Sequence, residues 1–207
     1  MKYVVALTGK TGAGKSVISQ ALAELGAFII DGDKVARYVV DAVPELLISL
    51  KEAFGDDIAP DGVLDRKSLA RKAFSSPENT KLLNFIFHPA INRVIEEKVS
   101  EALNTYDVAV VDAAAIIESG YAAKCDFLVV VTAPERIRKK RIKERDGIGD
   151  EDALIRIKGQ KPDSFYFENA DFIIRNYEPY KLTDELNPLV KKLFGKELDD
   201  GFELNLN

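Results

Sequence analysis

The chain has 207 residues, 46% hydrophobic and 30% charged, with a formal net charge of −5 and one cysteine, Cys125. There is enough apolar material to bury a core without a disulfide or metal staple, and a lone thiol excludes an internal disulfide and fits a reducing compartment. The acidic balance argues against a nucleic-acid or anionic-membrane surface, and no apolar run nears the ~20 residues of a membrane span.

In chain order, the first element is a strand over residues 2–8, "KYVVALT", which runs directly into "GKTGAGKS". That run lacks a signal-peptide h-region and cleavage site, so a cytoplasmic protein is expected. A helix over 14–25 follows, then a second strand over 27–31. Further strands are expected at 107–112, 126–132 and 171–176. All five are Val/Ile-rich and mostly continuous rather than alternating, which suits parallel strands covered on both faces. Helical stretches lie between them, so the fold class is α/β with a five-stranded parallel sheet flanked by helices.

The spacing between strands is uneven. About 75 residues separate the second strand from the third, where one crossover helix would suffice. Residues 33–105 are therefore read as a helical insertion, containing "PELLISLKEAF", "DRKSLARKAF" and the long stretch "NTKLLNFIFHPAINRVIEEKVSEAL". Pro89 is expected to start a new helix there or to kink one. A second insertion, 134–165, separates the fourth and fifth strands and is read as a lid. The core is then 1–32, 106–133 and 166–195, closed by a final helix, and the acidic segment 196–207 is expected to be a flexible tail.

The glycine loop is the strongest chemical signal. Gly9, Gly14, Lys15 and Ser16 satisfy G-x-x-x-x-G-K-[ST] between a strand and a helix, the setting in which this motif binds nucleotide phosphates. Backbone N–H groups of Thr11, Gly12, Ala13, Gly14, Lys15 and Ser16 can surround the β-phosphate, Lys15 reaches the β- and γ-phosphates, and the Ser16 hydroxyl ligates Mg²⁺. ATP and Mg²⁺ are the expected cofactors.

Asp31 and Asp33 end the second strand at the carboxyl edge of the sheet, where ligands of such sheets sit. Either carboxylate is a candidate base for a hydroxyl or a water-mediated Mg²⁺ partner; the alternative is that Asp33 only caps the next helix. Arg37 lies one helical turn on and can face the same cleft or solvent. The only histidine, His88, is either a packed or capping residue or a hydrogen-bonding contact to an acceptor substrate. Asp112, at the end of the third strand, is a candidate Walker-B-type carboxylate. Residues 136–145, "RIRKKRIKER", carry seven basic groups. Arg138, Arg141 and Arg145 fall on one helical face, suited to a phosphoryl group if they belong to a lid and to solvent otherwise. Cys125 is read as a small hydrophobe rather than a nucleophile.

In order and spacing, these motifs resemble the dephospho-CoA kinase family over roughly residues 3–180. "GKTGAGKS" corresponds to its glycine loop, "DGDKVAR" (Asp31 to Arg37) to its D-x-D-x-x-A-R motif, His88-Pro89 to its HP dipeptide, and Glu118-Ser119 to its Glu-Ser after the third strand. "RIKERD" (Arg141 to Asp146) matches the end of its basic lid helix, Gln160 its lid glutamine, and Ala170 to Asn176 its A-D-x-x-I-x-N close. The resemblance implies a P-loop NTPase fold with a helical acceptor-binding insertion and a lid. It also implies transfer of the ATP γ-phosphoryl group to the ribose 3′-hydroxyl of dephospho-CoA. Lys15, Asp33 and Arg141 would be catalytic, with Asp33 orienting or deprotonating the hydroxyl. Arg145 and Asn176 would join the loop in binding ATP, and Asp33, Arg37, His88 and Glu118 would bind the acceptor. Ser16 and Asp31 would serve the metal. The expected partners are these two small molecules, with no nucleic acid or membrane, for a monomer or small homo-oligomer. Three departures bear on the acceptor pocket: Ala114-Ala115-Ile116 stands where the family has Pro-Leu-Leu, "KPDSFYFEN" is unusually aromatic, and Val17 replaces the common Thr.

Overall fold

The computed structural model describes residues 1–199 and 202. Five strands, β1 (Tyr3–Gly9), β2 (Phe28–Asp31), β3 (Val108–Asp112), β4 (Phe127–Thr132) and β5 (Phe172–Arg175), form one sheet in the order β2-β3-β1-β4-β5. The helices are α1 (Lys15–Glu24), α2 (Gly32–Ala42), α3 (Pro44–Phe54), α4 (Arg66–Ala73), α5 (Pro77–Ala102), α6 (Glu135–Asp146), α7 (Asp150–Lys158), α8 (Asp163–Phe167) and α9 (Leu182–Phe194). The chain divides into two compact units, Met1–Ile30 with Glu101–Asn207, and Asp31–Ser100.

In the first unit β1 pairs in parallel with β3 and β4, Val5 lying opposite Val110 on one side and Phe127 on the other. These strands carry no charge before their ends, and Val5, Leu7, Val108, Val110 and Val129 are fully buried. One face of the sheet packs against α1 and α9 through Ile18, Leu22, Leu186, Leu189 and Leu193, with Ile174 of β5 on that face. The flanking of β1 by two later strands makes its carboxyl end the point where the topology reverses, the usual ligand position in such sheets.

In the second unit Val35, Val39, Leu46, Leu50, Phe54, Ile58 and Leu69 are buried. Asp65 caps α4, accepting from Lys67 N–H at 2.9 Å and Ser68 N–H at 3.2 Å. The Ser68 hydroxyl and backbone hold its carboxyl below the usual range. Pro89 does not begin a new helix: α5 runs continuously through it, with Pro89 on an exposed position.

Of the segment expected to be a flexible tail, residues 200, 201 and 203–207 lie outside the described residues. The part before them packs. Asn187 donates to the Leu198 carbonyl at 3.2 Å and accepts from its N–H at 2.7 Å, and Leu198 and Phe202 rest on the α1–α9 core. Among the described residues no helix is long and apolar enough to cross a membrane.

Candidate active site

The loop between β1 and α1 has its shape because two of its glycines admit what no other residue would. Gly12 and Gly14 take φ of +79° and +91°, the left-handed region that favours glycine. A Cβ on Gly12 would also lie 2.6 Å from the Arg138 carbonyl oxygen, and one on Gly14 would collide with the Asn176 side-chain amide. Gly14 is the N-cap of α1 and supplies no capping side chain, which leaves first-turn N–H groups for an anion.

Two side chains grip the loop by its carbonyls. Arg141 donates through Nη1 to Ala13 O at 3.1 Å and through Nη2 to Asn176 O at 2.9 Å, with a longer contact to Gly12 O at 3.4 Å. Asn176 Nδ2 donates to Ala13 O at 3.1 Å. The carbonyl of Ala13 and the N–H of Gly14 belong to one trans peptide, so holding the first toward Arg141 turns the second the opposite way, into the loop. Lys15 is ion-paired with Asp112 at the end of β3, both side chains largely buried, and Ser16 is exposed on the first turn of α1. Beyond α7, Gln160 Oε1 accepts from the Thr11 N–H at 3.0 Å and Asp163 pairs with Lys10. The structure thus gathers Thr11 to Ser16, Asp112, Arg141, Gln160 and Asn176 at one place.

The three arginines expected on one face have separate surroundings. Arg141 is committed to backbone carbonyls. Arg145 is exposed and bidentate to Asp146, at 2.8 and 3.0 Å. Arg156 also bonds Asp146. This arrangement, Arg145 foremost, holds the Asp146 carboxyl below its ordinary range and raises Arg145. Arg138 is buried. The basic run is fixed further by Lys139 and Lys143, which both pair with Asp150 and lower its pKa to about 2.

The remaining expected residues belong to the second unit or to the loop after β3. Asp31, not Asp33, caps α2, accepting from Lys34 N–H at 2.8 Å, and its other oxygen lies 3.3 Å from the Lys34 ammonium. Asp33 and Arg37 are exposed. His88 is half-buried and lines a hollow of about 270 Å³ with Ala36, Arg66, Phe74 and Phe87. Glu118, Ala114 and Ala115 are exposed, whereas Ile116 is buried. The aromatic stretch before β5 forms α8, where Tyr166 is buried; its hydroxyl is raised by desolvation and then by Glu118. Cys125 donates to Tyr121 O at 3.6 Å, and desolvation pushes its thiol up to about 12, as a packing residue requires. Among the described residues no cluster of three or more His, Cys, Asp or Glu side chains could hold a metal ion.

Lys10 and Asp163 escaped the sequence reading, because nothing in a lysine of the glycine loop and an aspartate at the start of α8 marks them as partners. The profile of the dephospho-CoA kinase family matches residues 3–181. The chain belongs to the dephospho-CoA kinase family. It is 40% identical over 173 residues to the dephospho-CoA kinase of Corynebacterium jeikeium, covering 83% of this chain and 89% of that one. It is 41% identical over 174 residues to that of Corynebacterium glutamicum, covering 83% and 87%. Among solved structures, it resembles TT1252 from Thermus thermophilus with a TM-score of 0.77 at 26% identity, over 93% of this chain and 98% of that one. The dephospho-CoA kinase from Campylobacter jejuni shares the fold, with a TM-score of 0.57 at 24% identity over 93% and 97%. This dephospho-CoA kinase family member is accordingly a kinase, a transferase of CoA biosynthesis.

Proposed function

We propose that this chain transfers the γ-phosphoryl group of ATP to the ribose 3′-hydroxyl of dephospho-CoA, giving CoA and ADP. The observation that carries the reading is the family match over residues 3–181, which spans the glycine loop between β1 and α1. ATP places its phosphates among the N–H groups of Gly12, Gly14, Lys15 and Ser16, because the Thr11 N–H is taken by Gln160 Oε1 and the Ala13 N–H by the Lys10 carbonyl. Lys15 exchanges Asp112 for β- and γ-phosphate oxygens. Arg141 acts by holding the loop. Arg145, a turn further along α6, is the arginine with room to meet the transferring group. Asn176 shapes the loop beside it. Asp33 orients or deprotonates the acceptor hydroxyl, and Arg37, His88 and Glu118 bind the acceptor. Closure of residues 134–165 would exclude water and so favour transfer over hydrolysis.

Mg²⁺ is proposed to arrive with ATP, since this ion needs only one or two protein ligands beside phosphate. The exposed Ser16 hydroxyl fits that role. Of the carboxylates, Asp112 suits it better than Asp31, whose oxygens already serve the α2 cap and Lys34. The ion would neutralise phosphate charge. A cytoplasmic location fits this substrate pair and the reduced lone thiol. The test is incubation with ATP, Mg²⁺ and separate acceptors: dephospho-CoA, adenosine, AMP and shikimate. Phosphorylated product is expected from dephospho-CoA; efficient reaction of another acceptor with none of dephospho-CoA would overturn the reading.

A further inference from the structure

Arg138 has only 5% of its surface exposed, yet its Nη1 is buried with no hydrogen-bond partner among the described residues. No ion pair engages its guanidinium there either. Arginine does not escape burial by losing its proton, so the charge calls for an acceptor from outside the chain. The residue lines a cavity of about 520 Å³ together with Lys10, Lys158, Lys161, Phe167 and Tyr177. Lys10 is taken by Asp163, and Arg175, also on the wall, by Glu185. Lys158 and Lys161 have no carboxylate partner among the described residues. Three cationic groups therefore converge without anionic partners, against two wall carboxylates, Glu135 and Asp163, the second of which is paired.

The cavity is separate from the phosphate loop's inner surface. Ile173 and Arg175 line it, while Ile174 between them packs into the α1–α9 core. Side chains alternate across a strand, so the cavity opens on the sheet face away from α1, whose N-terminus serves the nucleotide. It reaches the loop only from behind, through Lys10 and through Gln160, which holds the Thr11 N–H.

We propose that this cavity binds a phosphate group, free or carried by a small organic molecule. Arg138 and the Lys158 and Lys161 ammonium groups face the phosphate, and Phe167 and Tyr177 face any carbon portion. A dianion matches several converging cations better than a carboxylate does, and the guanidinium fork suits phosphate oxygens. Occupancy would bear on ATP binding through Gln160 and Lys10.

The test saturates the protein with Mg²⁺ and the non-hydrolysable β,γ-imido analogue of ATP, which fills the phosphate loop. Phenyl phosphate, inorganic phosphate and benzoate are then titrated separately by calorimetry. Phenyl phosphate is expected to bind at one additional site, ~10-fold or more tighter than benzoate. R138M, which keeps the length without the charge, and the surface double variant K158A/K161A should each weaken it by ~10-fold or more. Inorganic phosphate binding as tightly and through the same cations would assign the free ion as occupant; weaker binding would assign an organic phosphate. Absence of a site on the nucleotide-filled protein, a preference for benzoate, or binding unchanged in the variants would overturn the proposal. Should R138M not fold, the surface double variant decides.

Discussion

Replacing Arg141 by alanine tests whether this arginine shapes the phosphate loop or stabilises the transferring group. Its guanidinium makes two well-formed bonds, at 3.1 Å to Ala13 O and 2.9 Å to Asn176 O. Hydrogen bonds from a charged donor contribute ~1.5–3 kcal/mol each, and the lower figure suits a half-buried side chain, giving ~3 kcal/mol in all. If that energy holds the loop in its phosphate-binding shape, its loss weakens ATP by ~10²-fold, at 1.4 kcal/mol per decade. Arg141→Lys offers one ammonium where a fork spans two carbonyls, and is expected to recover about half of the lost free energy. The assays are calorimetric titration with the imido analogue of ATP, thermal unfolding, and steady-state kcat and KM. Weaker nucleotide binding with a lower Tm is expected in Arg141→Ala. Unchanged affinity and Tm with kcat reduced ~10³-fold would refute the reasoning, because that is the signature of an arginine acting on transition-state charge.

Asp33→Asn should lower kcat by ~10²-fold or more with ATP affinity little changed, while Asp31→Ala should lower Tm by removing an N-cap of ~1 kcal/mol; the opposite ranking would place the essential carboxylate at residue 31. Asp150 is held at about 2 by Lys139 and Lys143, so its contribution is present above its unfolded pKa of ~3.9 and is lost as pH falls through about 2. The Tm difference between wild type and Asp150→Asn, measured in low salt, should therefore shrink on going from pH 5 to pH 2; a difference that persists at pH 2 would mean packing rather than charge. With its thiol pushed up to about 12, Cys125 should alkylate slowly at pH 8 in the native protein and rapidly in urea. Equal rates would show that the thiol is not desolvated.

By itself, the sequence determined the strands, the glycine loop and the insertion of helices between β2 and β3. Each of these is a local signal: a continuous Val/Ile run, a fixed spacing of glycines and a lysine, a long gap where a single crossover would do. Glycine at positions 12 and 14 was legible as motif, but the reason for it was not, because the atoms that exclude a side chain there belong to Arg138 and Asn176, over 120 residues away. The same limit divides the basic helix. Arg138 and Arg145 share a helical azimuth, yet seven residues of rise separate them by ~10 Å along the axis. The first turns of α6 lie against Gly12 and bury Arg138; Arg145 lies past the loop and is exposed. Only the tertiary structure decided which of the arginines grips the loop, which pairs with Asp146 and which is left facing a cavity. Burial and partnership are set by the neighbouring chain segment, and periodicity along one helix carries no record of it.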